Sequence, residues 1–159
     1  MHGYRPNTYG DRFADVYDDW YHDVSDVEAT VERVAALAAA RDGRVLELGA
    51  GSGRLAVPLA ERGLEVWAVD ASSAMLARLR SKRGGHRVRA VLDDMAELRS
   101  GDLPRDGVGV VLCAFNTLFN LTDTESQRRC LRRVAELLIP DGRLVLEAFV
   151  PPPDDPEQG

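Results

Sequence analysis

Apolar positions along the chain change period in a regular way. From Asp11 to His22, the residues Phe13, Val16, Tyr17, Trp20 and Tyr21 recur at helical spacing. Val27, Val31, Val34 and Leu37 form the stripe of a second helix, with Asp26 as its cap and Ala40 as its end. The period then shortens. Arg44 to Leu48 reads as a strand that runs into Gly49-Ala50-Gly51-Ser52-Gly53, and Arg54 to Arg62 returns to helical character. Pro58 is tolerated only in a helix's first turn, so that helix should begin close to Gly53. Glu65 to Asp70 is a second strand, and Ser72 to Lys82 is a helix capped by Ser72 or Ser73. The turn Arg83-Gly84-Gly85-His86 leads to a third strand, Arg87 to Leu92. Val108 to Cys113 is unbroken apolar, as a strand covered on both faces should be. Asp123 to Leu138 is helical, and Pro140-Asp141-Gly142 turns the chain into a fifth strand, Arg143 to Phe149.

Strands alternating with helices at this spacing predict an α/β fold: a Rossmann-like, doubly wound and mainly parallel sheet of five strands. One domain over 1–150 is expected, with amino-terminal helices in 1–42, the core in 43–150 and a Pro-rich extended tail in 151–159. The length of 159 residues and a hydrophobic share of 45% suit one core. A net charge of −6 argues against nucleic acid as the main partner, since phosphate binding calls for a basic face. No apolar run approaches the roughly 20 residues that span a bilayer, and Met1 to Pro6 is no signal peptide, so no membrane partner is expected. Cys113 and Cys130 form no disulfide or metal pattern, which points to a reducing, cytoplasmic compartment. The preponderance of Arg over the lone Lys82 reads as coding bias.

A strand, a glycine-rich turn and a helix place a ligand at the strand's carboxyl end, with an acid ending the second strand. Asp70 fills that role and suits a pair of ribose hydroxyls; a tight turn with a helix-capping Asp is the structural alternative. Two details bear on the ligand. The dinucleotide pattern G-x-G-x-x-G would need Gly where Arg54 stands, and Glu47 lies two residues before the first glycine. Facing a pyrophosphate at about 5 Å, at an effective dielectric near 20, one like-charge pair costs on the order of 3 kcal/mol. A ligand with an ammonium and a sulfonium is attracted instead, which favours S-adenosyl-L-methionine over NAD.

Val45-Leu46-Glu47-Leu48-Gly49-Ala50-Gly51-Ser52-Gly53 resembles the first motif of class I S-adenosylmethionine-dependent methyltransferases, E/D-x-G-x-G-x-G. Val69 to Leu76 resembles their second motif, Leu92 to Leu98 their third, and Val110 to Leu121 the segment on the cofactor's far side. The resemblance implies that Gly49, Ala50, Gly51 and Gly53 form the cofactor loop and that Glu47 orients the methionyl amino end. It implies that Asp70, with Ala71 beside it, holds the ribose, and that Asp94 and the Met95 amide bind adenine. Ala114 and Phe115 would lie under the sulfonium side. Met75 either touches the adenine plane or packs in the core, and Tyr17 and Tyr21 either close over the methionine end or pack their own helix.

Methyl transfer asks the protein mainly for proximity, alignment and exclusion of water. No catalytic base stands out: His22 and His86 read as surface residues, and Asn116 either orients a substrate or caps its loop. Ala114-Phe115-Asn116-Thr117 lacks the N/D-P-P-Y/F/W motif that grips a flipped base, and no His, Asp and Glu cluster suggests a metal. The expected activity is methyl transfer to a small-molecule N, O or C acceptor. The alternative is a non-catalytic S-adenosylmethionine-binding or scaffolding module without its acceptor half, because the family's sheets continue beyond a fifth strand. Leu144, Val145, Leu146, Ala148 and Phe149 carry Glu147 as their one charge and read like an interior strand. Left at a sheet edge, that strand invites self-association.

Overall fold

The computed structural model describes residues 26–99 and 101–149. The helix expected over 11–22, with Tyr17 and Tyr21, and the tail 151–159 lie outside the described residues. Helix α1 (Val27–Ala39) starts where Asp26 accepts a hydrogen bond from Ala29 N at 2.9 Å, and it buries Val31, Val34 and Ala38. Strand β1 (Arg44–Leu48) follows, then α2 (Ala56–Glu61), β2 (Glu65–Asp70), α3 (Ser73–Ser81), β3 (Arg89–Leu92) and β4 (Val108–Cys113). Helix α4 (Thr124–Leu137) is capped by Asp123, which accepts from Ser126 N at 2.8 Å. The main-chain bond from Val57 N to Gly53 O, 3.1 Å, opens the turn that leads into α2. Pro58, third in that helix, therefore falls in the first turn, where its missing N–H costs nothing.

The sheet runs β3-β2-β1-β4-β5, where β5 is Leu138–Leu146, and every pairing is parallel. Side chains alternate between two cores, as the period of a strand requires. Val45, Val66, Ala68, Val110 and Leu112 pack with α1, α2 and α3. Leu46, Trp67, Val69, Val111 and Cys113 pack on the other face with Cys130 and Val134 of α4. The central strands thus bury both faces, and β1, β2 and β4 stand where their apolar runs put them.

Strand β5 departs from expectation at both ends, stopping at Leu146 rather than Phe149. It begins at Leu138, opposite Val108, while Val110 pairs with Arg143. Two steps along β4 therefore match five along β5, so Pro140-Asp141-Gly142 is an irregularity within the strand rather than a turn before it. The two edges also differ. Strand β3 has four residues, and Arg89 lies 4.6 Å from the Trp67 ring centroid while pairing with Glu65 at 3.0 Å. Strand β5 is longer and leaves Leu144 36% and Leu146 44% exposed, followed by Phe149 at 66%. Pro140, Asp141, Arg143 and the irregularity blunt the first part of this edge, but an apolar end such as Leu144–Leu146 pairs with other chains unless a cover prevents it. The 159-residue chain is accordingly expected to gain apparent mass in light scattering as concentration rises, and Leu146→Lys should suppress the effect. A monodisperse monomer throughout the series would show that this edge is protected.

Candidate functional site

The loop after β1 is shaped by two close approaches. Gly49 has φ +61°, and a Cβ there would run into Thr117 Cγ2. Gly53 has φ +82°, and a Cβ there would lie 2.7 Å from Leu79 Cγ of α3. Only glycine meets both demands without moving a neighbour. The loop is then tied to β2. Ala50 N donates to Val69 O at 3.0 Å, and Gly51 N donates to Asp70 Oδ2 at 2.8 Å. The other Asp70 oxygen accepts from Ser72 N at 2.8 Å, so one carboxylate joins the loop to the start of α3. Lys82 braces the loop from the far end of α3, donating from Nζ to Ser52 Oγ at 2.9 Å.

Beyond this loop a cavity of about 230 Å³ crosses the carboxyl ends of β1 to β4. It lies where the strand order reverses, the crevice in which open α/β sheets hold ligands. Gly49 and Gly51 form one side; Asp70, Ala71 and Met75 follow β2; Asp93, Asp94 and Met95 follow β3. The last of these turns is ordered by its own acids: Asp93 Oδ1 accepts from Asp94 N and Asp94 Oδ1 from Ala96 N, both at 2.8 Å. The far wall, Phe115, Asn116, Thr117, Asn120 and Leu121, follows β4.

Glu47 is buried and does not line the cavity. Alternation along β1 sends its side chain to the face of Val45, toward α2, where it is 4% exposed. The Ala56 N–H bonds to the carboxyl, yet Oε2 has no partner. Burial pushes its pKa up to about 8, against the opposing pull of the Arg54 guanidinium. Arg54, in turn, lies 5.3 Å from the centroid of the Phe115 ring.

Phe115 (φ +53°) and Asn116 (φ +59°) are consecutive left-handed residues. An L side chain there costs roughly 1–2 kcal/mol per residue, less for Asn, whose side chain can hydrogen-bond locally. The chain just after β5 holds them. Phe115 N donates to Glu147 Oε2 at 3.1 Å, Asn116 N to Glu147 O at 3.0 Å, and Phe149 N to Asn116 Oδ1 at 2.6 Å.

Of the residues singled out from the sequence, Gly49, Gly51, Asp70, Ala71, Met75, Asp94, Met95 and Phe115 line this one cavity. Met75 does so while only 2% exposed, packed in the core at the cavity's edge. Glu47, Ala50, Gly53 and Ala114 stand behind the surface, at the base of the loop and the wall. His86 sits in a short 3-10 turn, Gly85–Arg87, before β3, away from the cavity. Val69, Asp93, Thr117, Asn120 and Leu121 were not singled out. For Thr117 to Asn120 the turn that brings them in is another 3-10 segment. Its only advance signal is Asn116, a residue type that accepts left-handed backbone.

Fold and cavity together define a Rossmann-like α/β domain with a crevice lined by a glycine loop and an acid at the end of β2. Residues 45–142 match the family described as methyltransferase domain, and the chain belongs to that family. It is 40% identical over 111 residues to the cypemycin N-terminal methyltransferase of a Streptomyces species, an alignment covering 69% of this chain and 44% of that protein. The structure of the CcbJ methyltransferase from Streptomyces caelestis superposes with a TM-score of 0.79 at 43% identity, over 90% of this chain and 58% of the other. The glycopeptide N-methyltransferase MtfA complexed with S-adenosyl-L-methionine gives a TM-score of 0.62 at 28% identity, over 74% and 48% of the two chains. The chain thus spans about half the length of the relatives it matches.

The buried Glu47 makes stability depend on pH in a defined direction. Its pKa is raised from an ordinary 4.5 to about 8, so between those values the folded state retains a proton that the unfolded state has lost. Its contribution to stability therefore declines as pH rises from about 4.5 to 8 and is level above. Glu47→Gln should abolish that decline, gaining on the unsubstituted protein by the order of a few kcal/mol toward pH 8. Urea melts of both proteins from pH 4.5 to 8.5 measure it; parallel curves would mean that Glu47 is ionised in the folded state.

Proposed function

We propose that the cavity binds S-adenosyl-L-methionine and that the chain is the cofactor-binding part of an enzyme that methylates a small molecule, with an amine as the acceptor. The observation that carries the reading is the buried Glu47 carboxyl, whose Oε2 lacks a partner on the strand that runs into the glycine loop. A ligand ammonium approaching Gly49 and Gly51 supplies that partner, whereas a pyrophosphate meets a carboxyl it can only repel once ionised. The close contact of Gly49 with Thr117 also fits, since it lets main chain rather than a side chain face the ligand.

In this reading Asp70, at the end of β2 and on the cavity lining, accepts the ribose hydroxyls. Asp94 and the Met95 amide take the adenine edge, and Met75 lies against its plane. When bound, the cofactor supplies a methyl group already activated by a sulfonium. The chain's part is to align that methyl with the acceptor between the glycine loop and the Phe115–Asn116 wall and to keep water away. Asp70, Asp93 and Asp94 line the cavity, and no Lys, Arg or His among the described residues does. This acidic lining favours cationic or neutral ligands over phosphorylated acceptors. Two of the similar proteins are N-methyltransferases by name, which supports the amine.

Calorimetric titration with S-adenosylmethionine, its demethylated product and NAD is the first test, and tighter binding of NAD would overturn the assignment. Because the ligand ammonium favours the ionised Glu47, binding between pH 6 and 8 should release up to one proton, read from heats in buffers of different ionisation enthalpy. Glu47→Gln should release none. Asp70→Ala should weaken binding by about 1.5–3 kcal/mol, roughly 10- to 150-fold, through loss of hydrogen bonds to a charged group. An unchanged dissociation constant would place the ribose elsewhere.

A further inference from the structure

We propose that Glu147 is a positioning residue for this site: from the end of β5, its carboxylate holds the Phe115–Asn116 turn in the left-handed form that makes the cavity's far wall. The clamp follows from geometry alone; its effect on a ligand rests on the S-adenosylmethionine reading above. Left-handed backbone at φ +53° carries its full steric cost at Phe115, which is neither Gly, Asn nor Asp, whereas Asn116 tolerates it and its Oδ1 accepts from Phe149 N. The Phe115 backbone must be tied from outside. Glu147 does this twice over, taking Asn116 N on its main-chain oxygen and Phe115 N on Oε2. The first tie survives any change of side chain, and the second belongs to the carboxylate.

The position of the ring depends on both ends of that arrangement. On one side Arg54, at the end of the glycine loop, lies over Phe115; on the other Glu147 fixes the Phe115 amide. The wall is thereby referenced to β1 through Arg54 and to β5 through Glu147. Ala would leave the backbone free to relax toward the right-handed basin, moving the ring away from Arg54 and out of its place in the cavity. Gln keeps an oxygen where Oε2 stands and preserves the tie without the charge.

The test uses the 159-residue chain with Glu147→Ala and Glu147→Gln, S-adenosylhomocysteine as an unreactive probe, and hydrogen exchange at the Phe115 and Asn116 amides. In the ligand-free protein Ala should speed Phe115 exchange about tenfold, the effect of losing one charge-assisted hydrogen bond, and Gln should restore it. The dissociation constant for S-adenosylhomocysteine should follow the same order, weakening several-fold in Ala and recovering in Gln. Unchanged Phe115 exchange in Ala, or equal losses of affinity in Ala and Gln, would overturn the proposal. Faster exchange rescued by Gln, in a protein that takes up no S-adenosylhomocysteine, would uphold the clamp and overturn the ligand reading instead.

Discussion

The turn between β1 and α2 has to reverse the chain within a few residues while its two ends are buried, and the rest of the site depends on how that is done. Gly49 and Gly53 take left-handed backbone and leave no Cβ, so Thr117 approaches from β4's side and Leu79 from α3. Asp70 then converts a permissive loop into a fixed one by taking Gly51 N and Ser72 N on its two oxygens. A carboxylate that accepts from main-chain amides on both oxygens has little freedom left, and Asp70 also lines the cavity. The same residue is therefore at once part of the scaffold and part of the site.

Glu47 is the element that the isolated domain would be more stable without. A buried carboxyl with one unpaired oxygen carries a desolvation cost that a neutral side chain of the same shape would not. Arg54 relieves the ionised form only in part, since burial still outweighs it. Such a residue is a local inconsistency in an otherwise consistent core of Val45, Val66, Ala68 and Leu112. Inconsistencies of this kind are expected where a ligand completes the arrangement, and Glu47 lies two residues before Gly49, which lines the cavity.

The parts of the chain governed by local rules were legible in advance. Strands β1, β2 and β4 are short apolar runs bounded by Gly, Asp or charged residues, and their limits match the structure residue for residue. Asp26, Ser72 and Asp123 cap helices as side chains of that kind do. The glycine loop and Asp70 at the end of β2 were legible because strand, turn and acid recur at fixed offsets, whereas Asp94 after β3 was implied only by the resemblance to the family's third motif. What was not legible depends on partners far away in sequence. The left-handed Phe115 is held by a residue 32 positions later, and no local propensity assigns φ +53° to phenylalanine. The early start of β5 is likewise decided by Val108 pairing with Leu138, against the turn signal of Pro140-Asp141-Gly142.

Strand β5 ties these threads together, because it serves two demands that pull its sequence in different directions. Its pairing with β4 and the ties from Glu147 and Phe149 fix the wall of the cavity, so its end must be rigid. Its outer side is an edge with Leu144 and Leu146 open to solvent, and edges are where sheets fray first. Fraying that reached Glu147 would release Asn116 and Phe115 together, and with them the ring on which Arg54 rests. Any neighbour that paired with β5 would damp that fraying without touching the cavity. Pairing at this edge and occupancy of the cavity should therefore stabilise each other, through an ordered 114–116 turn rather than through a direct contact.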